Sequence, residues 1–245
     1  MSNNQNSSEI ECLARQLASE IRHNFFVHTH PKYGLQLIYA LWQAKLCGYQ
    51  KVTAVEFGVA SGRGLSALEN YAQDFSSKFD IEVIVQGFDT GRGLPSPQDY
   101  RDHPEIWTGG DYSARYTGPV IYGDIKNTLP QYIENWGDSV LGFVSLDLDL
   151  YSSTINAMPI FEMSPDQYLP SVMVHLDDTN TQLTMNPWCG AELAVNEFNN
   201  THTMRKFEQK HHCWNIDNFY VMHVLDHDMR SGVVKPAMPI NCSPF

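Results

Sequence analysis

The sequence predicts an α/β fold, a mostly parallel sheet with helices on both faces. Three observations predict it. Short apolar and β-branched runs recur along the chain with helical or loop-like stretches between them, the first run breaks into a glycine turn that opens a helix, and acidic residues follow directly on the ends of later runs. At 245 residues the chain is long enough for one sizeable core. No internal repeat or low-complexity linker divides it, so residues 1–245 read as one domain, with N-terminal helices over 1–50 and the core over 51–245.

Taken in order, apolar residues at helical spacing predict helices over Ile10 to Phe26 and Tyr33 to Cys47. The turn between them, His28-Thr29-His30-Pro31, is enforced by its proline. Strands are expected over Val52 to Phe57, Val83 to Phe88, Val120 to Tyr122, Leu141 to Leu146 and Val172 to Leu176. This alternation implies βαβ crossovers, and sheets so built hold ligands beyond the carboxyl ends of their strands. A helix over Ala191 to Phe198 and a strand over Phe219 to Leu225 close the pattern. His211-His212-Cys213-Trp214, between them, has no assignable periodicity. The stretch from Thr90 to Gly118 is long and rich in Gly, Pro and Tyr, which marks a lid or binding loop. Its Tyr100, Trp107, Tyr112 and Tyr116 suit stacking over an apolar or sugar ligand, or packing on one another.

Composition narrows the partners. A formal charge of -12, from 28 acidic against 16 basic residues, leaves no basic stripe for phosphates, so nucleic acid is not expected as a partner. The five cysteines are scattered and lack C-x-x-C spacing, which argues against a disulfide framework or a zinc site and for a reducing, cytoplasmic setting. No apolar run is long enough for a signal core or a membrane span, so a soluble protein without a membrane partner is expected. Oligomeric state stays open, a homo-oligomer included.

The most informative stretch is Val55-Glu56-Phe57-Gly58-Val59-Ala60-Ser61-Gly62-Arg63-Gly64. A strand that breaks into glycines before a helix lets the backbone approach a ligand and aims free amides at a carboxylate. The spacing is G-x-x-x-G-x-G rather than the dinucleotide G-x-G-x-x-G, so S-adenosylmethionine (SAM) is favoured over NAD. Candidate cofactor contacts are Glu56, Gly58, Ala60, Ser61, Gly62 and Gly64. Glu56 would take the methionine ammonium or orient the turn. Asp89, ending the second strand, suits two ribose hydroxyls, and Gly123-Asp124 after the third would line the adenine pocket. The plainer alternative makes the glycines an ordinary turn and the aspartates helix caps.

A second cluster is acidic. Asp147 and Asp149 follow one strand and Asp177 and Asp178 the next, so four carboxylates share a rim, where mutual repulsion calls for a cation. With few Lys or Arg nearby in sequence, Mg2+ is the economical one, with Asp147, Asp177 and Asp178 as ligands and Asp149 at or beside the ion. Such an ion would acidify a substrate hydroxyl. Asp147, Asp149 and His175 are the catalytic candidates, His175 because strand alternation puts it on the face of Asp177. A core histidine satisfied by a carbonyl is the rival reading for His175, and capping of the helix at Ser152-Ser153-Thr154 for some of the acids. His28, His30 and the pair His211-His212 beside Cys213 read as turn or surface residues.

With these motifs in place, the chain resembles the macrocin O-methyltransferase family from about Glu56 to Phe198. The resemblance rests on VEFGVASGRGLS, GFDTGRGLP, GDIKNTLP, LDLDLYSST, HLDDT and the weaker AELAVNEF, in that order. It implies a Rossmann-like class I methyltransferase fold with an antiparallel last strand, SAM as cofactor, magnesium at Asp147, Asp177 and Asp178, and methyl transfer to a hydroxyl of a small molecule such as a glycoside or secondary metabolite. A more distant resemblance to catechol and caffeoyl-CoA O-methyltransferases places metal acids at matching strand ends. Two departures stand out: Tyr168-Leu169-Pro170-Ser171 replaces the family's Gly-Gly approach to the Asp-Asp strand, and Leu148-Asp149-Leu150-Tyr151 holds no lysine where catechol-type enzymes keep a base. The rivals are a metal-independent methyltransferase acting on nitrogen or carboxylate, a SAM-binding protein without chemistry, and an NAD-dependent oxidoreductase.

Overall fold

The computed structural model describes residues 2–102, 116–177, 179, 186–210 and 219–231; of residues 2–6 and 231 it describes the backbone alone. Two N-terminal helices, α1 (Ser2–His23) and α2 (Pro31–Cys47), precede β1 (Lys51–Phe57), α3 (Arg63–Phe79), β2 (Glu82–Asp89), β3 (Val120–Tyr122), α4 (Ile125–Glu134) and β4 (Val140–Leu146). There follow α5 (Tyr151–Ala157), two short 3-10 turns (Met158–Phe161 and Pro165–Gln167), β5 (Tyr168–Leu176), α6 (Gly190–Thr201), β6 (Arg205–Gln209), β7 (Phe219–Val224) and α7 (Asp228–Ser231). The seven strands form one sheet in the order β3-β2-β1-β4-β5-β7-β6, parallel except for β7, which runs antiparallel to both of its neighbours. That order, with a reversed seventh strand inserted beside β5, is the Rossmann-like class I methyltransferase sheet. The dinucleotide fold instead continues with a parallel sixth strand.

Local chemistry explains the boundaries. Pro31 starts α2, where its missing N–H costs nothing, and Gly48 ends it at φ 82°, its N–H returned to the last turn. β1 and β4 are buried almost throughout, as strands covered on both faces must be. One apolar core lies between the sheet and α2 and α3, built on residues such as Leu35, Leu41, Leu65 and Phe143. The other lies on the face carrying α4, α5 and α6, around Phe57, Phe88, Phe161 and Phe198. α1 packs on α2 rather than on the sheet. No described helix is long and apolar enough to cross a membrane.

Three elements depart from the sequence reading. α1 begins at Ser2 and ends at His23 rather than running from Ile10 to Phe26. β5 begins at Tyr168, not Val172, and so absorbs the proline-containing approach. Pro170 fits there because the β4–β5 register shifts between Leu141 and Phe143, which relieves the strand of a ladder bond that proline cannot donate. β6 was not anticipated at all. Its RKFEQ sequence buries Phe207 and Arg205, the arginine stacked 5.3 Å over Tyr168 and paired with Asp226.

Candidate functional site

Register brings the ends of three neighbouring strands level. Phe57, Leu146 and Leu176 align, Asp147 N donates to Phe57 O (3.0 Å) and Asp177 N donates to Leu146 O (3.1 Å), so Gly58, Asp147 and Asp177 emerge side by side. Gly58 has φ 84°, and a Cβ there would come within 1.7 Å of Asp147 O. Only glycine fits both the left-handed backbone and the close approach of β4.

Asp89 fixes the rest of the turn. Its Oδ2 accepts from Val59 N and Ala60 N (both 2.9 Å), and its Oδ1 from Gly91 N (2.6 Å). The acid of β2 thereby holds the turn that follows β1, with lone-pair capacity left for a ligand hydroxyl.

Above these ends opens a cleft of about 750 Å³, in the range that holds a nucleotide-sized ligand. Its wall joins Gly58 and Ala60 of the turn, Asp89, Gly123 and Asp124 from the β2 and β3 ends, and Asp147, Asp149 and Asp177 from the β4 and β5 ends. Asp124 also caps α4, accepting from Lys126 N at 3.0 Å. The cleft further contains Gln98 and Asn156, outside every quoted motif, and Arg92 and Ser153, which lie within GFDTGRGLP and LDLDLYSST but were given no ligand role.

Not every candidate reaches the cleft. Glu56, Ser145 and His175 are register partners on β1, β4 and β5, two residues below Gly58, Asp147 and Asp177, and so form a buried polar layer under the rim. Tyr33 of α2 covers it, donating to Glu56 Oε1 (2.8 Å) and sharing a hydrogen bond with Ser145 Oγ (2.7 Å). Gly64 is part of the same roof: a Cβ there would meet Glu56 Oε1 at 2.1 Å. Burial pushes the Glu56 carboxyl up to about 8, so it is a neutral acid near pH 7, with Oε2 unpartnered. Glu56 is thus not part of the described cleft wall, and the turn amides are held by Asp89. Gly62 lies under the Tyr116 ring, and Ser61 is exposed outside the described wall.

His175 sits beneath Asp177, its Nε2 3.2 Å from Oδ1. Burial lowers its pKa, so the ring is neutral, and its one proton belongs on Nε2, donated to the carboxylate. Nδ1 is buried without a partner. That bond first, then the Lys32 ammonium, hold Asp177 below the usual carboxylate range. His30, taken from sequence as a turn residue, occupies the N-cap position of α2 with its ring 5.2 Å from Tyr33, and burial lowers its pKa. Asp178, the third metal candidate, lies outside the described residues, as do Trp107, Tyr112 and the His211-His212-Cys213-Trp214 cluster. Among the described residues no three His, Cys, Asp or Glu side chains converge as a metal site.

Sequence reasoning missed Asp102. It is buried, accepts from Ser152 N (2.6 Å) and Gln98 N (2.5 Å), and so caps α5 just after Asp149. Arg101 beside it stacks 4.7 Å over Tyr151. No local signal links residue 102 to a helix that begins nearly fifty positions later.

No family model matches the chain, and no curated protein matches it. Solved structures with a similar course include the calicheamicin methyltransferase CalS11, at 18% identity over 80% of this chain and 84% of that one, with a TM-score of 0.49. An apo structure of CalS11, described as a TDP-rhamnose 3'-O-methyltransferase, gives the same identity and coverage with a TM-score of 0.41. An S-adenosyl-L-methionine methyl transferase from Silicibacter pomeroyi gives 16% identity over 77% of this chain and 89% of that one, with a TM-score of 0.40. The fold assignment stands on the strand order of the chain itself.

Proposed function

We propose that this protein is a SAM-dependent O-methyltransferase acting on a hydroxyl of a small molecule, with Mg2+ at its acidic rim. One observation carries the reading: a single cleft at the carboxyl ends of the parallel strands joins the glycine turn, Asp89 and Asp124 to Asp147, Asp149 and Asp177. The donor set suits SAM, since the turn beside Gly58 excludes any side chain, Asp89 keeps acceptor capacity at the ribose position and the acidic wall favours a cationic sulfonium. SAM supplies an electrophilic methyl group when bound. Mg2+ would be held by Asp147 and Asp177, with Asp178 proposed as the third ligand, and would lower the pKa of the acceptor hydroxyl.

The residues themselves would divide the work. His175 keeps Asp177 oriented and ionised. With no lysine after Asp147, the carboxylate of Asp149, in the cleft wall, is the proposed acceptor of the hydroxyl proton; His175 is already bonded to Asp177 from below. A metal-independent methyltransferase, with the strand-end acids structural, is the second reading, supported by the His175 Nε2 partner that Asp177 already holds.

Calorimetry with SAM, with and without Mg2+, on the wild type and Asp177→Asn tests both. The expected result is SAM binding to both proteins and Mg2+ binding to the wild type alone. SAM binding without any Mg2+ binding selects the second reading, and absence of SAM binding overturns both.

A further inference from the structure

The glycine turn is held from two sides by different means. Asp89 takes the amides of Val59 and Ala60, in the first half of the turn. In the second half Gly62 N returns to Val59 O at 2.8 Å, and Gly62 stands at the N-cap position of α3 with φ 83° and no side-chain cap. A ring from the end of the long loop covers it: a Cβ on Gly62 would lie 2.2 Å from Cδ2 of Tyr116. Gly62 is buried under this ring, although Ser61 and Arg63 on either side of it are exposed.

Tyr116 is itself fixed at both ends. Its hydroxyl donates to Glu69 Oε2 of α3 at 2.9 Å, and its carbonyl accepts from the hydroxyl of Tyr122, the last residue of β3, at 2.7 Å. Gly118 passes behind the ring, where a Cβ would meet Tyr116 Cε1 at 2.2 Å. The ring thus braces α3 against β3 at the edge of the cleft, beside Ala60 and Tyr122 of its wall. A carboxylate drawn to the start of α3 binds best when the turn before that helix is already shaped, because ordering a turn on binding subtracts from affinity.

We infer that Tyr116 is a positioning residue for the amino-acid tail of the methyl donor. It acts through Gly62, as Asp89 acts through Val59 and Ala60, so that the turn meets the tail in its final shape. The inference rests on the methyltransferase reading. It assigns to the donor an aromatic residue that the sequence offered as a stacking surface over an apolar or sugar ligand.

The test compares S-adenosylhomocysteine with 5'-methylthioadenosine, which lacks the amino-acid tail, on the full chain. The first is titrated by calorimetry and the second is read by displacement of the first. Tyr116→Ala is expected to weaken S-adenosylhomocysteine about tenfold and to leave 5'-methylthioadenosine within about twofold. Tyr116→Phe keeps the ring on Gly62 and should stay within about threefold of the wild type for both ligands. Far-UV circular dichroism checks folding, and Tyr116→Leu, which loses the flat ring but fills part of its volume, supplies the same ratio where the alanine variant does not fold. Equal weakening of the two ligands, or no weakening of either, would overturn the inference. Failure of S-adenosylhomocysteine to bind the wild type would instead remove the methyltransferase reading.

Discussion

Asp89 and Asp177 stand at matching places, each at the carboxyl end of a parallel strand, yet their carboxylates are held in opposite ways. Asp89 accepts three backbone amides from the turns around it. Asp177, its side chain 42% exposed, is held from below by a neutral imidazole. The first arrangement makes an acid part of the scaffold. The second keeps a charge facing the cleft on a side-chain partner. The same residue type thus builds the donor half of the cleft and equips the acceptor half, and the partners, not the sequence motif, tell which.

The contrast can be broken most severely at Gly58. Gly58→Ala forces an L-residue into φ 84° against Asp147 O, and a loss of about 3 kcal/mol in chemical denaturation, with no S-adenosylhomocysteine binding, is expected. Asp89→Ala and Asp177→Ala sharpen it. The first should cost about 2 kcal/mol and weaken cofactor binding, because three amides lose their acceptor. The second should cost less, about 1.5 kcal/mol through the lost partner of His175 Nε2, and abolish turnover. Equal losses of stability in the two variants would erase the distinction drawn here.

Glu56 extends the comparison below the rim. Its carboxyl titrates near 4.5 in the unfolded chain and near 8 in the folded one, so the unfolded state is the first to lose the proton. The stability contributed by the neutral acid is full below pH 4.5 and is lost as the pH rises toward 8, by up to about 1.4 kcal/mol per pH unit. Denaturation of Glu56→Gln should therefore show a variant that gains on the wild type across this window and levels off above it. The smallest effect is expected at Asp102→Ala, about 1 kcal/mol through the lost cap of α5, read as a fall in thermal midpoint.

The parallel core was legible because β1 and β4 are short, mostly apolar or β-branched runs followed directly by glycine or acid, and because β3 is set off by Gly123-Asp124. β6 was not, since a charged strand whose arginine is buried by stacking on a distant tyrosine has no apolar alternation to detect. In the site, the strand-end acids were visible as a pattern. The separation of Glu56 from the cleft was not: it depends on Tyr33 and Gly64 closing over it from two other elements.

Asp149 holds φ 57°, a left-handed backbone that aspartate and asparagine tolerate far better than branched or bulky residues. Shape and charge are thereby separable at this one position. Asparagine preserves the bend and deletes the negative charge, glycine accommodates the bend without strain and deletes the whole side chain, and valine would spoil the contour outright. Comparing the three isolates the electrostatic share of whatever this carboxylate does.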